Sequence, residues 1–289
     1  MRFPNIFIVG AGKSGTSLLH DMLNRHPNVH MSRVKETDFF AIDHIWSRGY
    51  DWYWSNYGSI DFELADYVGE ASVSYSAISF YPKTIDRMIK ASLSPKIIYI
   101  VRDPLKRFES DWMEHTIACS SKGRTPSSFS DFIQFDDLAI AKTDYLSNCQ
   151  AYINAFGRGN VHLMLFEDLI ENPVLTMQKV YQFLKLDYSC VSLQLPMSPV
   201  GPSSGAKRVP NLLMVMRRLG FYNKIVPLIP SGFRVFFRDL VSKRVNVERP
   251  NVSSCDMELF ISTHKKNILK FNELYLDPGD KWPCLKHFD

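Results

Sequence analysis

Hydrophobic and polar positions near the start of the chain fall into blocks that read as strand, loop and helix. Phe7, Ile8 and Val9 make a short unbroken apolar run from about Asn5, the pattern of a strand buried on both faces. Gly10, Gly12 and Gly15 punctuate the next stretch, and Leu18, Leu19, Met22 and Leu23 then recur at helical spacing. The same order returns downstream. Lys96-Ile97-Ile98-Tyr99-Ile100-Val101 is apolar and β-branched, again fit for a buried parallel strand. It runs into Arg102-Asp103-Pro104, where a helix can begin with proline in its first turn. On that helix Arg107, Asp111 and Glu114 are expected to face solvent, with Phe108, Trp112 and Met113 turned inward. Strands that feed loops and helices in this way predict an α/β fold.

Composition sets the bounds. With 289 residues, 45% of them hydrophobic, the chain can bury one large core, and residues 1–289 are expected to form a single domain. The five cysteines (Cys119, Cys149, Cys190, Cys255, Cys284) are odd in number, widely spaced and without a Cys-x-x-Cys pair. That argues against a disulfide framework or a zinc site and for reduced thiols. No apolar run approaches the roughly 18 residues of a membrane helix. The first strand begins too early to leave room for a leader, so a soluble, cytoplasmic protein is the expectation.

The glycine-rich loop carries the chemistry. Between a strand and a helix it points backbone N–H groups and the positive end of a helix dipole at one spot, where an anion sits. Lys13 adds a mobile charge and Thr16 a hydroxyl. Three ligand-binding readings compete, beside a plain glycine turn. A Walker A loop, as in a nucleotide-phosphate kinase, finds Gly12-Lys13-Ser14 but needs a glycine where Phe7 stands. A dinucleotide fingerprint, as in an NAD-dependent oxidoreductase, is present as Gly10, Gly12 and Gly15, with Glu36 about 20 residues on. It needs a strand ending at Glu36, and Asn28 to Val34 is short and polar for one. The third reading is a phosphosulfate loop, Lys13-Ser14-Gly15-Thr16-Ser17.

A second candidate anion site decides between them. In Arg102-Asp-Pro-x-x-Arg107-x-x-Ser110-Asp-Trp112, an arginine leaving a strand and a serine on the next helix can grip one phosphate, which the arginine fork matches in geometry and charge. Two such sites imply a nucleotide with phosphates at both ends of its ribose. With both motifs together the chain resembles the sulfotransferase family. Lys35-Glu36-Thr37-Asp38-Phe39-Phe40 is similar to the Lys-Glu-x-His-Phe-Phe of carbohydrate sulfotransferases, and Gly49-x-x-Trp52-Tyr53 to the segment that follows it there. Gly69-Glu70-Ala71-Ser72-Val73-Ser74-Tyr75 is similar to the Gly-Glu-x-[Ser/Thr]-Pro-x-Tyr of bacterial members. Phe166 to Leu184 follows the family's strand, acidic turn and helix, and Ser204-Gly205-Ala206-Lys207-Arg208 is similar to a late loop over the 3′-phosphate.

The resemblance implies a three-layer α/β sandwich with a central, mainly parallel sheet and a P-loop-like phosphosulfate-binding loop. It implies 3′-phosphoadenosine-5′-phosphosulfate (PAPS) as co-substrate, with no metal. Gly12, Lys13, Ser14, Gly15, Thr16 and Ser17 would hold its 5′ side; Arg102, Ser110, Ser204, Gly205, Lys207 and Arg208 would hold its 3′ side. Glu36 becomes the general base toward an acceptor hydroxyl or amine, on a carbohydrate or a hydroxylated metabolite. Lys13 becomes the cation on the oxygen that bridges phosphate and sulfur. The heparan-type enzymes carry a second lysine where Ala71 stands, so its task falls to Lys35 or to no residue. Read without the resemblance, Glu36 caps a helix or pairs with Lys35 or Arg33. Among the histidines only His44 stays a pocket candidate.

Charge is unevenly placed. Ten lysines and arginines against two acids lie between Ser203 and Pro250, in a chain whose formal net charge is +4. A basic helical insert at about 209–250 is expected, broken by Pro227, Pro230 and Gly232 into two or three short helices. It would attract an anionic acceptor, contact an acidic membrane surface, or only meet solvent. No nucleic acid is expected as a partner.

Overall fold

Five consecutive buried residues, Ile6–Gly10, form strand β1, as an apolar run covered on both faces should. The computed structural model describes residues 3–91, 94–195, 206–208, 243–245, 248–276 and 282–287. After β1 come helix α1 (Thr16–Leu23), strand β2 (Val29–Met31), helices α2 (Asp43–Trp46) and α3 (Gly49–Ser55), strand β3 (Tyr67–Ala71), helix α4 (Thr84–Ala91) and strand β4 (Lys96–Val101). Helices α5 (Pro104–Ser121), α6 (Phe129–Phe135), α7 (Asp137–Thr143) and α8 (Tyr145–Phe156) lead to strand β5 (Val161–Leu165). Helices α9 (Phe166–Glu171) and α10 (Pro173–Leu184) follow, and α11 (Ser254–Tyr275) lies near the end of the chain.

The five strands form one sheet in the order β2-β3-β1-β4-β5, and every pairing is parallel. Side chains alternate between its faces. Phe7, Val9, Ile97, Tyr99 and Val101 enter one core with Phe108, Tyr145, Tyr152, Phe260 and Phe271. Ile6, Ile8, Ile98 and Ile100 enter the other, with Leu18, Leu19, Met22, Val180 and Tyr181. Helices therefore cover both faces, giving the three expected layers. Burying each such side chain is worth about 1.5–3 kcal/mol, which is why these runs are so rich in apolar residues. Successive strands add on one side of β1 and then on the other. The crevice between the carboxyl ends of β1, β3 and β4 is thus the switch point where such sheets bind ligands.

Several expectations change. Arg107 does not face solvent; it is fully buried. Its guanidinium donates to Asp111 at 3.0 Å and the Ala139 carbonyl at 3.0 Å, and to Thr143 Oγ1 at 2.5 Å. It ties α5 to α7, and Asp111 is drawn in with it. A short strand does form within 28–34, because Val29 and Met31 alternate inward, but it ends well before Glu36. Within the basic stretch, Lys243–Val245 is a strand, β7, paired antiparallel with β6 (Ala206–Arg208). The expected helices between residues 209 and 242 lie outside the described residues. The five cysteines are free thiols. Among the described residues no helix is long and apolar enough to cross a membrane.

Candidate active site

The loop after β1 is shaped by backbone more than by side chains. Gly10 has φ 139° and Gly15 φ 82°, and Gly15 is the left-handed N-cap of α1, without a side-chain cap. Lys13 also adopts a left-handed conformation, φ 63°, and lines the cleft. At Gly15 an added Cβ would lie 2.6 Å from the Phe166 ring. The first turn of α1 carries no acidic residue, so its N–H groups and dipole are left for an external anion. Ser14 Oγ is buried without a hydrogen-bond partner among the described residues, as expected of a hydroxyl that a phosphate oxygen completes.

Arg102 leaves the end of β4 and donates from Nη1 to the Lys13 carbonyl at 3.1 Å, while its guanidinium stacks 5.0 Å from the Phe166 ring centroid. The two predicted anion-binding segments are therefore one unit. Ser110, on α5, lines the same cleft. Lys13 Nζ lies 3.4 Å from Glu114 of that helix.

The third wall is Lys35, Glu36 and Asp38, from the turn that ends at the buried Phe39 and Phe40. Glu36 (φ 59°) and Asp38 (φ 53°) both take left-handed conformations, so this turn is held by its surroundings. Glu36 donates its N–H to the Ala71 carbonyl at 3.0 Å. Its Oε2 accepts the Val73 N–H at 2.7 Å, and its Oε1 pairs with Lys35. Both oxygens keep lone pairs free, since a carboxylate offers about four acceptor sites. Asp38 Oδ1 accepts from Ser74 Oγ at 2.6 Å.

All of this lines a single cleft of about 690 Å³ at the carboxyl ends of the strands. Its lining includes Gly12, Lys13, Gly15, Thr16 and Ser17, then Lys35 and Glu36, then Arg102 and Ser110; Ser14 sits buried beneath the loop. Ser204 and Gly205 lie outside the described residues, and of Lys207 and Arg208 only the backbone, in β6, is described. His44 is exposed on α2 and is absent from the cleft lining, which removes it as a pocket residue. The pairing of Glu36 with Lys35, weighed from sequence, is present.

Sequence reading missed several lining residues. Asp38, Tyr81, Lys106, Lys142 and Arg249 also face the cleft. Lys106 lies inside the Arg102–Ser110 motif and was within reach of pattern reading; Arg249 belongs to the basic stretch between Ser203 and Pro250, and Lys142 comes from a distant helix with no local signal. Burial pushes Asp111 upward, yet Arg107, Lys142 and Lys13 hold its carboxyl below the ordinary aspartate range. The floor of the cleft thus balances charge instead of massing one sign.

Comparison with known proteins follows the same outline. Residues 3–196 match the sulfotransferase domain family. Mouse heparan sulfate glucosamine 3-O-sulfotransferase 5 is 26% identical over 194 residues, 64% of this chain and 54% of that protein. The human bifunctional heparan sulfate N-deacetylase/N-sulfotransferase 2 is 24% identical over 203 residues, 63% of this chain but 22% of that protein. The chain thus spans about half or less of these relatives' length. Among solved structures, a sulfotransferase from Alicyclobacillus acidocaldarius is 29% identical with a TM-score of 0.56, over 69% of this chain and 88% of that one.

Proposed function

The chain belongs to the sulfotransferase domain family, and from that premise we propose that it moves a sulfuryl group from PAPS to a hydroxyl of a carbohydrate or other hydroxylated acceptor. One observation carries the reading: a single cleft is lined by the glycine loop, by Arg102 with Ser110, and by the Lys35–Glu36 pair. The residues suit the donor nucleotide. An uncapped helix N-terminus, the unpartnered Ser14 hydroxyl and Lys13 match a 5′-phosphate, and Arg102 with Ser110 match a second phosphate. When bound, PAPS supplies the activated sulfuryl group.

Glu36 takes the proton from the acceptor hydroxyl, a role contributing about 10²–10⁴-fold. The Val73 N–H and Lys35 fix the direction of its carboxylate. Lys13 balances negative charge on the departing side, and the loop amides hold the phosphate still, so catalysis rests on positioning and electrostatics. Lys35 pairs with Glu36 and faces the same space. The basic residues between Ser203 and Pro250 favour an anionic acceptor, with an acidic membrane surface as the other use of that stretch. The free thiols favour a cytoplasmic setting.

Isothermal titration with 3′-phosphoadenosine-5′-phosphate tests the reading on wild type and Arg102→Ala. Micromolar binding by wild type, lost in the variant, supports both phosphate sites and opens acceptor screening with labelled PAPS. A folded wild type that binds ATP or NAD and not this nucleotide would sink it.

A further inference from the structure

Glu70 neighbours the candidate site, and sequence reading left it without a task. It lies on β3, fully buried, and three hydroxyls donate to it. Thr37 Oγ1 and Ser72 Oγ reach Oε2, the latter at 2.9 Å, and the Tyr75 hydroxyl reaches Oε1 at 2.8 Å. Each of the three hydroxyls also accepts one backbone N–H. Ser72 takes that of Asp38 at 3.1 Å, Thr37 that of Phe39 at 3.4 Å, and Tyr75 that of Phe40 at 3.2 Å. Three successive amides of the turn that carries Glu36 therefore end on one carboxylate, each through one hydroxyl.

The direction of this relay follows from chemistry. An ionised carboxylate only accepts, so every hydroxyl beside it must spend its proton inward. That leaves each oxygen's lone pairs facing the amides. A neutral group at the same place removes the constraint, and an amide changes it: the NH₂ of glutamine only donates, so whichever oxygen it replaces, at least one hydroxyl must accept from it and turn its own proton away from residue 70. The turn is strained enough to need the restraint, with left-handed conformations at Glu36 and Asp38 that non-glycine residues adopt reluctantly.

We propose that Glu70 is a positioning residue: its buried carboxylate polarises Thr37, Ser72 and Tyr75 so that they lock the Asp38–Phe40 amides and thereby aim Glu36 at the acceptor. This rests on Glu36 acting as the base. The groups packed around Glu70 are the hydroxyls of Tyr53, on α3, and Tyr57, just past its end, joined to each other at 2.6 Å, together with Tyr75, Thr37 and Ser72. Burial raises Glu70 to about 7, against the pull of those hydroxyls, so protonation near neutral pH loosens the same lock without a mutation.

The test uses Glu70→Gln and reactions that need no identified acceptor. PAPS hydrolysis to the bisphosphate nucleotide and sulfate has water in the acceptor's place, and hydrogen–deuterium exchange reads the Asp38, Phe39 and Phe40 amides directly. In the variant, exchange at these three amides accelerates and kcat for hydrolysis falls roughly 10²-fold, as a misaimed catalytic group entails. KM for PAPS and affinity for the bisphosphate nucleotide stay within about twofold of wild type, and the wild-type fall in kcat as the pH drops through about 7 disappears. Unchanged exchange together with unchanged kcat overturns the proposal. Should Glu70→Gln not fold, Thr37→Val against Thr37→Ser replaces it: serine keeps the relay and the rate, valine loses both, and equal rates in the two overturn it. Glu36→Gln separates the premise. Full hydrolysis by that variant removes Glu36 as base, whereas the amide exchange still reports on the lock alone.

Discussion

The glycine loop and the turn bearing Glu36 line the same cleft, yet they are built by opposite means. The loop is local. Its shape follows from Gly10 and Gly15 at positive φ, with Lys13 between them the one non-glycine of the loop in the left-handed region, and from the helix that begins at Thr16. The Glu36 turn is not: its left-handed residues are non-glycine, and hydroxyls, amides and a buried carboxylate contributed largely by β3 and the residues after it hold it in place. A binding surface can be written into a dozen consecutive residues. A precisely aimed base here needs partners more than thirty positions away.

The largest expected effect breaks the two regions apart functionally. Glu36→Gln should lower kcat by about 10²–10⁴-fold while the bisphosphate nucleotide still binds within about twofold, measured by PAPS turnover and titration in parallel. A variant that loses both together would mean that the turn and the loop are one site energetically, and the division would fail.

Gly15→Ala tests the loop's side. Its φ of 82° disfavours any Cβ, and that Cβ would meet the Phe166 ring at 2.6 Å. Left-handed strain and overpacking together cost about 2–5 kcal/mol, and the displaced ring also carries Arg102. Thermal denaturation should show a clear loss of stability, and nucleotide affinity should fall with it. An alanine variant with wild-type melting and affinity would contradict the local account of the loop.

What could be read from sequence follows the same division. Lys96–Val101 was legible as a buried strand because it is continuously apolar, and Gly10–Ser17 was legible as a phosphate loop because glycine spacing is a local signal. Arg107 was misread as solvent-facing because its partners, Ala139 and Thr143, belong to a helix thirty residues on that helical periodicity does not see. Glu70 stood inside a recognised motif, but nothing in that motif says that its carboxylate faces Thr37. Lys142 had no signal at all, since α7 reaches the cleft only through tertiary packing.

A smaller effect sharpens the contrast through pH. The folded protein raises Glu70 from the ordinary 4.5 to about 7. Between those values the unfolded chain has released this proton and the folded chain still holds it. Stability from this group therefore falls as the pH rises from about 4.5 to about 7, by at most about 1.4 kcal/mol per pH unit. Activity should move the other way, rising with ionisation of Glu70. Chemical denaturation across this range, on wild type and Glu70→Gln, should show the slope flatten in the variant. An identical slope in both would remove the stability penalty assigned to the buried charge.

The smallest effect concerns the ion pair that ties the loop's lysine to α5. Lys13 is the only charged side chain between Gly10 and Leu18, and it pairs at 3.4 Å with Glu114, whose side chain is 63% exposed. Exposed pairs contribute about 0–1 kcal/mol, so Glu114→Gln should leave the melting temperature nearly unchanged. It should also free Lys13 from a competing carboxylate and tighten nucleotide binding, by no more than about fivefold for an interaction of that size. A large loss of binding or stability would show that the loop, like the Glu36 turn, depends on a distant partner. A small gain fits a loop made by its own backbone, with Glu114 only a resting place for a lysine that the phosphate then claims.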